Sequence, residues 1–177
     1  MTNKRNVRML CLSAVFAALT VICTMINLPI GPVPINLAML SVFLSGGVLG
    51  ARFGTLSQLC YLLMGTAGLP VFSNFSGGPA KLAGPTGGYL FGYLLAAFLT
   101  GIIITRFGPR LRFMLPGMVF GLAGCYLLGT LWFLLSTKSA LGTALMACVV
   151  PFLPGDALKI AVACLLIPTL RKAALKA

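Results

Sequence analysis

The chain has one carboxylate side chain, Asp156, and a lysine follows it three positions later in Pro151-Phe152-Leu153-Pro154-Gly155-Asp156-Ala157-Leu158-Lys159. Side chains three apart on a helix share a face. Asp156 and Lys159 can therefore set a hydrogen-bond acceptor beside a donor, a pairing that suits a neutral ring presenting both N–H and C=O groups. The Pro-Gly break starts a helix just ahead of Asp156. There a carboxylate can cap free N–H groups and meets the positive end of the helix dipole. A structural cap with an internal ion pair is the competing reading. The weight falls on a binding role, because an ionisable residue in an apolar run is costly. This one stands beside a helix break and next to a cation.

The second candidate is the connection from Gly65 to Tyr89, which holds seven glycines and three prolines but also Val71, Phe72, Phe75 and Leu82. A mere linker would be more polar, and long loops of this kind act as lids or binding loops. Phe72 and Phe75 are candidates to cover an apolar solute, Asn74 to orient it, and Lys81 to meet an anionic tail. The plainer reading is a loop tucked against helix ends. Thr86-Gly87-Gly88-Tyr89 then opens a helix, with Thr86 as a candidate N-cap and a glycine-rich start of the type that can hold an anion. Gly-Pro-Thr-Gly-Gly is not a nucleotide-binding loop, since the spacing and the terminal Lys-Ser/Thr are missing. Gln58 and Tyr61 are polar groups inside an apolar helix; they face the site or bond between helices. Trp132 reads as an anchor at the membrane interface.

Other chemistries are poorly supplied. There is no histidine, and the six cysteines (Cys11, Cys23, Cys60, Cys125, Cys148 and Cys164) form no Cys-x-x-Cys pair, so neither a metal site nor a cofactor is expected. In apolar stretches such cysteines behave as small hydrophobes. An intramembrane enzyme would need a base and a nucleophile within reach, and a Ser–Lys pair using Lys159 is the one serious arrangement. A channel would line its pore with rings of polar groups, and no periodic polar face is visible.

The elements that must position these residues are membrane helices. Of 177 residues, 59% are hydrophobic and 8% charged, against about 25% charged in soluble domains. No charged residue lies between Arg8 and Arg52, Arg52 and Lys81, Lys81 and Arg106, or Arg112 and Lys138. Each run is long enough for one crossing of about 20 residues, and the first for two. The runs do not alternate as a barrel would. The expected fold is all-α: one membrane domain over 1–177 with six transmembrane helices at about 9–27, 35–51, 53–66, 86–105, 113–135 and 155–170. A Pro-rich corner occupies 28–34, an outer loop 67–85 and a short helix about 139–150, set apart by Pro151 and Pro154. The first apolar run follows Lys4, Arg5 and Arg8 but is long and is followed by further spans, so it reads as a retained helix and not a secretory signal.

The net charge of +12 sits in small clusters at helix ends, which argues for membrane flanks and against nucleic acid. With the N-terminus inside, the inner ends carry Lys4, Arg5, Arg8, Arg52, Arg106, Arg110, Arg112, Arg171, Lys172 and Lys176, and the outer loops only Lys81 and Lys138. Cytoplasmic loops collect Lys and Arg, so both termini are expected in the cytoplasm. Small residues recur four apart at Gly46/Gly50/Gly54, Gly88/Gly92 and Gly117/Gly121, a pattern that lets helices pack closely in lipid. Ala14 and Ala18 form a similar pair on the first helix, either as packing or as a docking face for another membrane protein.

Taken together, Gly50 through Gln58 to Tyr61, Gly-Leu-Pro-Val-Phe at 68–72, Gly-Pro-Thr-Gly-Gly-Tyr at 84–89 and Pro-Gly-Asp-x-x-Lys at 154–159 resemble the BioY family, the biotin-specific substrate-binding (S) components of bacterial energy-coupling factor (ECF) transporters. The resemblance covers nearly the whole chain. It implies a multi-pass protein of the bacterial cytoplasmic membrane that binds biotin from outside. It implies contacts from Asp156 and Lys159 to the biotin head group, with Asn74 a polar contact in the matching loop and Gln58, Tyr61, Thr86 and Tyr89 weaker carry-overs. Ala14 and Ala18 match the small-xxx-small pattern by which S components dock on a transmembrane coupling subunit, and two ATPase subunits complete such a transporter. An S component for a different vitamin is the nearest competing reading.

Overall fold

The computed structural model describes residues 2–28 and 35–176; the rest of the Pro-rich corner expected at 28–34 lies outside the described residues. Helix α1 spans Thr2–Met25 and ends in a two-residue antiparallel pairing of β1 (Asn27–Leu28) with β2 (Ile35–Asn36). Then come α2 (Ala38–Thr66), α3 (Pro79–Ala83), α4 (Gly87–Phe107), α5 (Leu111–Thr137), α6 (Leu141–Cys148) and α7 (Leu153–Lys176). Helix α1 starts well before the expected Met9, because its basic residues continue the helix past the apolar run.

Helix α2 is not one rod. A straight helix of its 29 residues would reach about 43 Å, well beyond a core of about 30 Å. At Gly50 the backbone takes φ 82, ψ 178, a conformation open only to glycine, and the chain reverses. A Cβ placed on Gly54 would stand 2.7 Å from the Ser45 carbonyl oxygen, so the limbs 38–49 and 51–66 run back against each other. Gly101 of α4 packs at the turn, where an added Cβ would meet Ala51 Cα at 2.6 Å. Among the described residues, five helices are long and apolar enough to cross a membrane when α2 is counted once. Its two limbs make the bundle six-helical, as the charge pattern requires.

Close approach through small residues holds the bundle. Across α4 and α5, a Cβ on Gly92 would stand 2.7 Å from Cys125 Sγ, and one on Gly121 would stand 2.9 Å from the Ala96 carbonyl oxygen. Between α1 and α2 the contact is polar. Thr20 shares a hydrogen bond with Ser41 (2.8 Å), and Gln58 Nε2 donates to Thr20 Oγ1 (3.2 Å) and, between the two limbs of α2, to Ser45 Oγ (3.0 Å). Such interhelical bonds average about 0.6 kcal/mol each in membrane proteins.

The first turns of α1 and the last turns of α7 lie on one face. Arg8 donates to the Ala173 carbonyl at 3.0 Å, and Arg171 donates to the Gly47 carbonyl at 2.7 Å. Gly47 belongs to the last turn before the Gly50 reversal, whose carbonyls have no helical donor, so a guanidinium there complements the negative helix end. The concentration of Lys and Arg marks this face as cytoplasmic. The protein is a multi-pass membrane protein.

Candidate functional site

The break before α7 aims Asp156 inward. A 3-10 turn at Val150–Phe152 joins α6 to α7. Pro154 falls in the first turn of α7, where proline forfeits no helical bond. Asp156 follows in that turn, and one turn later Lys159 lies on the same face. Both are buried, at 2% and 6% exposure. Lys159 Nζ pairs with Asp156 Oδ1 at 2.6 Å, and the Tyr126 hydroxyl of α5 donates to Asp156 Oδ2. The carboxylate therefore faces α5 and Lys159.

This pair forms one wall of a cavity in the outer half of the bundle. The cavity holds about 670 Å³ of open space, counted out into the solvent at its mouth. Tyr89 and Tyr93, four apart on α4, present their rings to it, joined by Tyr126, Phe152 and, from the outer loop, Phe72. Met39 from the first limb of α2 and Leu90 complete the apolar surface. Polar groups come from Asn36, Ser73, Lys81 and Thr86. Asn36 Nδ2 donates to Ser73 Oγ at 3.0 Å, and its Oδ1 accepts from the Ala38 N–H at 3.0 Å. One side chain thus ties the outer loop to the start of α2.

The inventory of free lone pairs and protons states what the site can hold. An ionised carboxylate offers about four acceptor positions and an ammonium three donors. Asp156 uses one position on each oxygen, and Lys159 spends one proton on Asp156. About two acceptor positions and two N–H groups stay open, which matches a cyclic urea with its two N–H groups and one doubly accepting carbonyl. Lys81, half-buried in α3, has no side-chain carboxylate left to meet, because the chain's single one is committed to Lys159 and Tyr126.

Several sequence expectations end elsewhere. Asn74 and Phe75 adopt left-handed backbone (φ 61 and φ 53) and are exposed, Phe75 to 74%; neither lines the cavity. Their neighbours Phe72 and Ser73 line it instead, because the 3-10 turn Ser73–Phe75 rotates the following side chains outward. Gln58 is fully buried in the α1–α2 contact and turned to Thr20 and Ser45. Tyr61 bonds to Thr24 at 3.2 Å and sets its ring against the edge of Phe72, centroids 5.5 Å apart. It supports the wall from behind. Thr86 occupies the N-cap position of α4 but makes no capping bond, and it lines the cavity with Tyr89. Trp132 donates to the Gly84 carbonyl at 3.0 Å and so holds the end of the outer loop.

Residues that the sequence did not single out are Asn36, Met39, Ser73, Leu90, Tyr93, Tyr126 and Phe152. Tyr93 was findable, since Tyr89 and Tyr93 share a helical face. Tyr126 carried no local signal, because its role exists only against Asp156, thirty positions on. Cys125 and Cys148, expected as packing residues, are buried in the cavity wall. Ala14 and Ala18 lie on an exposed face of α1 among Leu10, Val15 and Ile22.

Known proteins agree with this architecture. Residues 1–176 match the BioY family. A biotin transporter BioY of Thermotoga maritima is 41% identical over 168 residues, covering 93% of this chain and 96% of that protein. A biotin transporter BioY of Lactococcus lactis subsp. cremoris is 33% identical over 184 residues, covering 97% of this chain and 95% of that one. A crystal structure at 2.1 Å of the S-component for biotin from an ECF-type ABC transporter superposes with a TM-score of 0.89 at 32% identity, covering 97% of this chain and 95% of that chain.

Proposed function

The chain belongs to the BioY family, and from that premise we propose that it binds biotin from outside the cytoplasmic membrane and serves its uptake as the S component of an ECF transporter. The observation that carries the reading is the Asp156–Lys159 pair in the cavity wall, whose open acceptor and donor positions match the ureido ring of biotin. A buried ion pair is a poor investment for stability alone, since desolvation offsets most of its attraction, so its place at the edge of an aromatic cavity supports a recognition role.

In this reading the apolar body of biotin lies among Tyr89, Tyr93, Tyr126 and Phe72, all cavity-lining. Asp156 accepts from the ureido N–H groups and Lys159 donates to the ureido oxygen. Lys81 faces the valerate carboxylate. Asn36 and Ser73 hold the outer loop against the bundle, and Thr86 lines the same opening. The exposed Ala14 and Ala18 face of α1 is the docking surface for a transmembrane coupling subunit, with two ATPase subunits supplying energy.

Equilibrium binding of biotin to the detergent-purified chain tests the reading, with Asp156→Asn beside it. Charged hydrogen bonds contribute about 1.5–3 kcal/mol, so the variant should bind about ten- to hundredfold more weakly. Equal affinity of the two proteins would remove Asp156 from the site, and absence of binding by the folded parent would overturn the biotin assignment.

A further inference from the structure

Two features of Asp156 stand out physically. It is 2% exposed, and each of its oxygens already holds one donor before any solute is present: Lys159 on Oδ1 and Tyr126 on Oδ2. The two donors come from different helices. Lys159 stands one turn along the same helix and moves with Asp156. Tyr126 projects from α5 and fixes the carboxylate relative to the rest of the cavity wall.

We infer that Tyr126 is a positioning residue for solute recognition, which locks the Asp156 carboxylate so that its two unused acceptor positions aim into the cavity. This rests on the proposed binding of a ureido ring at Asp156. The tyrosine hydroxyl spends its only proton on Oδ2 and so cannot donate to the solute. That corner of the cavity therefore presents the open acceptor positions of Asp156 beside the ammonium protons of Lys159. A solute must bring N–H groups there, and a ring with a carbonyl or an ether oxygen at the same position meets lone pairs facing lone pairs. Without Tyr126, the carboxylate can turn toward Lys159 and take both oxygens to the ammonium, which would turn its two open acceptor positions away from the cavity and occupy a second proton meant for the solute carbonyl. Selectivity for N–H over oxygen at this corner thus depends on a residue of α5.

The test is a double-mutant cycle of Tyr126→Phe and Asp156→Asn, read by biotin affinity and, without solute, by thermal unfolding in detergent. Tyr126→Phe alone should weaken biotin about tenfold or more. In the Asp156→Asn background it should change affinity by less than about twofold, because the tyrosine then has no carboxylate to hold. If Asp156→Asn does not fold, the charge-neutral background Asp156→Asn/Lys159→Gln replaces it. Equal losses in both backgrounds would mean that the Tyr126 hydroxyl bonds the solute directly, and no loss in the parent would mean that it does not position Asp156; either overturns the inference. The melting cycle separates this from the biotin assignment. If the parent protein bound no biotin, the assignment would fall, and strictly additive melting shifts would still overturn the Tyr126–Asp156 lock on their own.

Discussion

The wall of the cavity that depends most on a single missing methyl group is at Gly65. This residue sits in the last turn of α2, with the Phe72 ring laid flat against its Cα; an alanine Cβ there would overlap Cζ, Cε1 and Cε2 of that ring. Carbon atoms rest about 3.5–4.0 Å apart, so the ring would have to retreat by about an ångström or more. Its exits are few. Tyr61 stands at its edge, the Phe72 backbone is paired in both directions with Ser76 (2.9 and 3.3 Å), and the Gly65 carbonyl accepts from Gly78 N–H at 2.7 Å. The open side is the cavity. Overpacking of this kind costs about 1–3 kcal/mol, and alanine recovers about 0.8–1 kcal/mol over glycine in a helix. The net strain of up to about 2 kcal/mol is relieved by the ring swinging into the solute's space, so Gly65→Ala should weaken biotin binding by up to about thirtyfold. Isothermal titration or a filter-binding assay on purified protein reads this directly. Two controls frame it. Gly65→Ala/Phe72→Leu should recover much of the loss by removing the obstructing ring. Gly142→Ala, where nothing lies within 4 Å of the new methyl, should leave affinity unchanged and add up to about 1 kcal/mol of stability. Gly65→Ala binding like the parent with unchanged melting would refute the assignment of Phe72 as a fixed wall.

Further outcomes follow from the site and the α1 face. Lys81→Met should weaken free biotin by about two- to fivefold, the scale of a half-exposed charge contact, and leave biotinamide unaffected; equal effects on acid and amide would remove Lys81 from the carboxylate. Ala14→Leu/Ala18→Leu adds bulk to an exposed face and touches no cavity residue. Co-expression with a transmembrane coupling subunit, the proposed partner, should then yield no co-purified complex while the isolated chain still binds biotin, and a complex recovered at parental yield would refute the proposed docking surface.

What the sequence determined on its own is what depends on local chemistry. Long uncharged runs demand helices in lipid, because backbone groups there have no water to satisfy them, and the Lys/Arg clusters at Arg8, Arg52, Arg106–Arg112 and Arg171 orient them. Asp156 and Lys159 were legible because a lone carboxylate in an apolar run is expensive and the i, i+3 spacing fixes their relation. Tertiary structure decided which polar residues face the cavity. Gln58 and Asn74 are of the right type and lie in suggestive segments, but the α1–α2 contact claims the first and a left-handed turn rotates the second outward. Asn36 and Tyr126 carry no sequence signal, because their meaning lies in partners thirty or more positions away, Ser73 and Asp156. Facing direction is set by helix packing and by turns such as Gly50, and these depend on the close approach of surfaces distant in the chain, which no local pattern encodes.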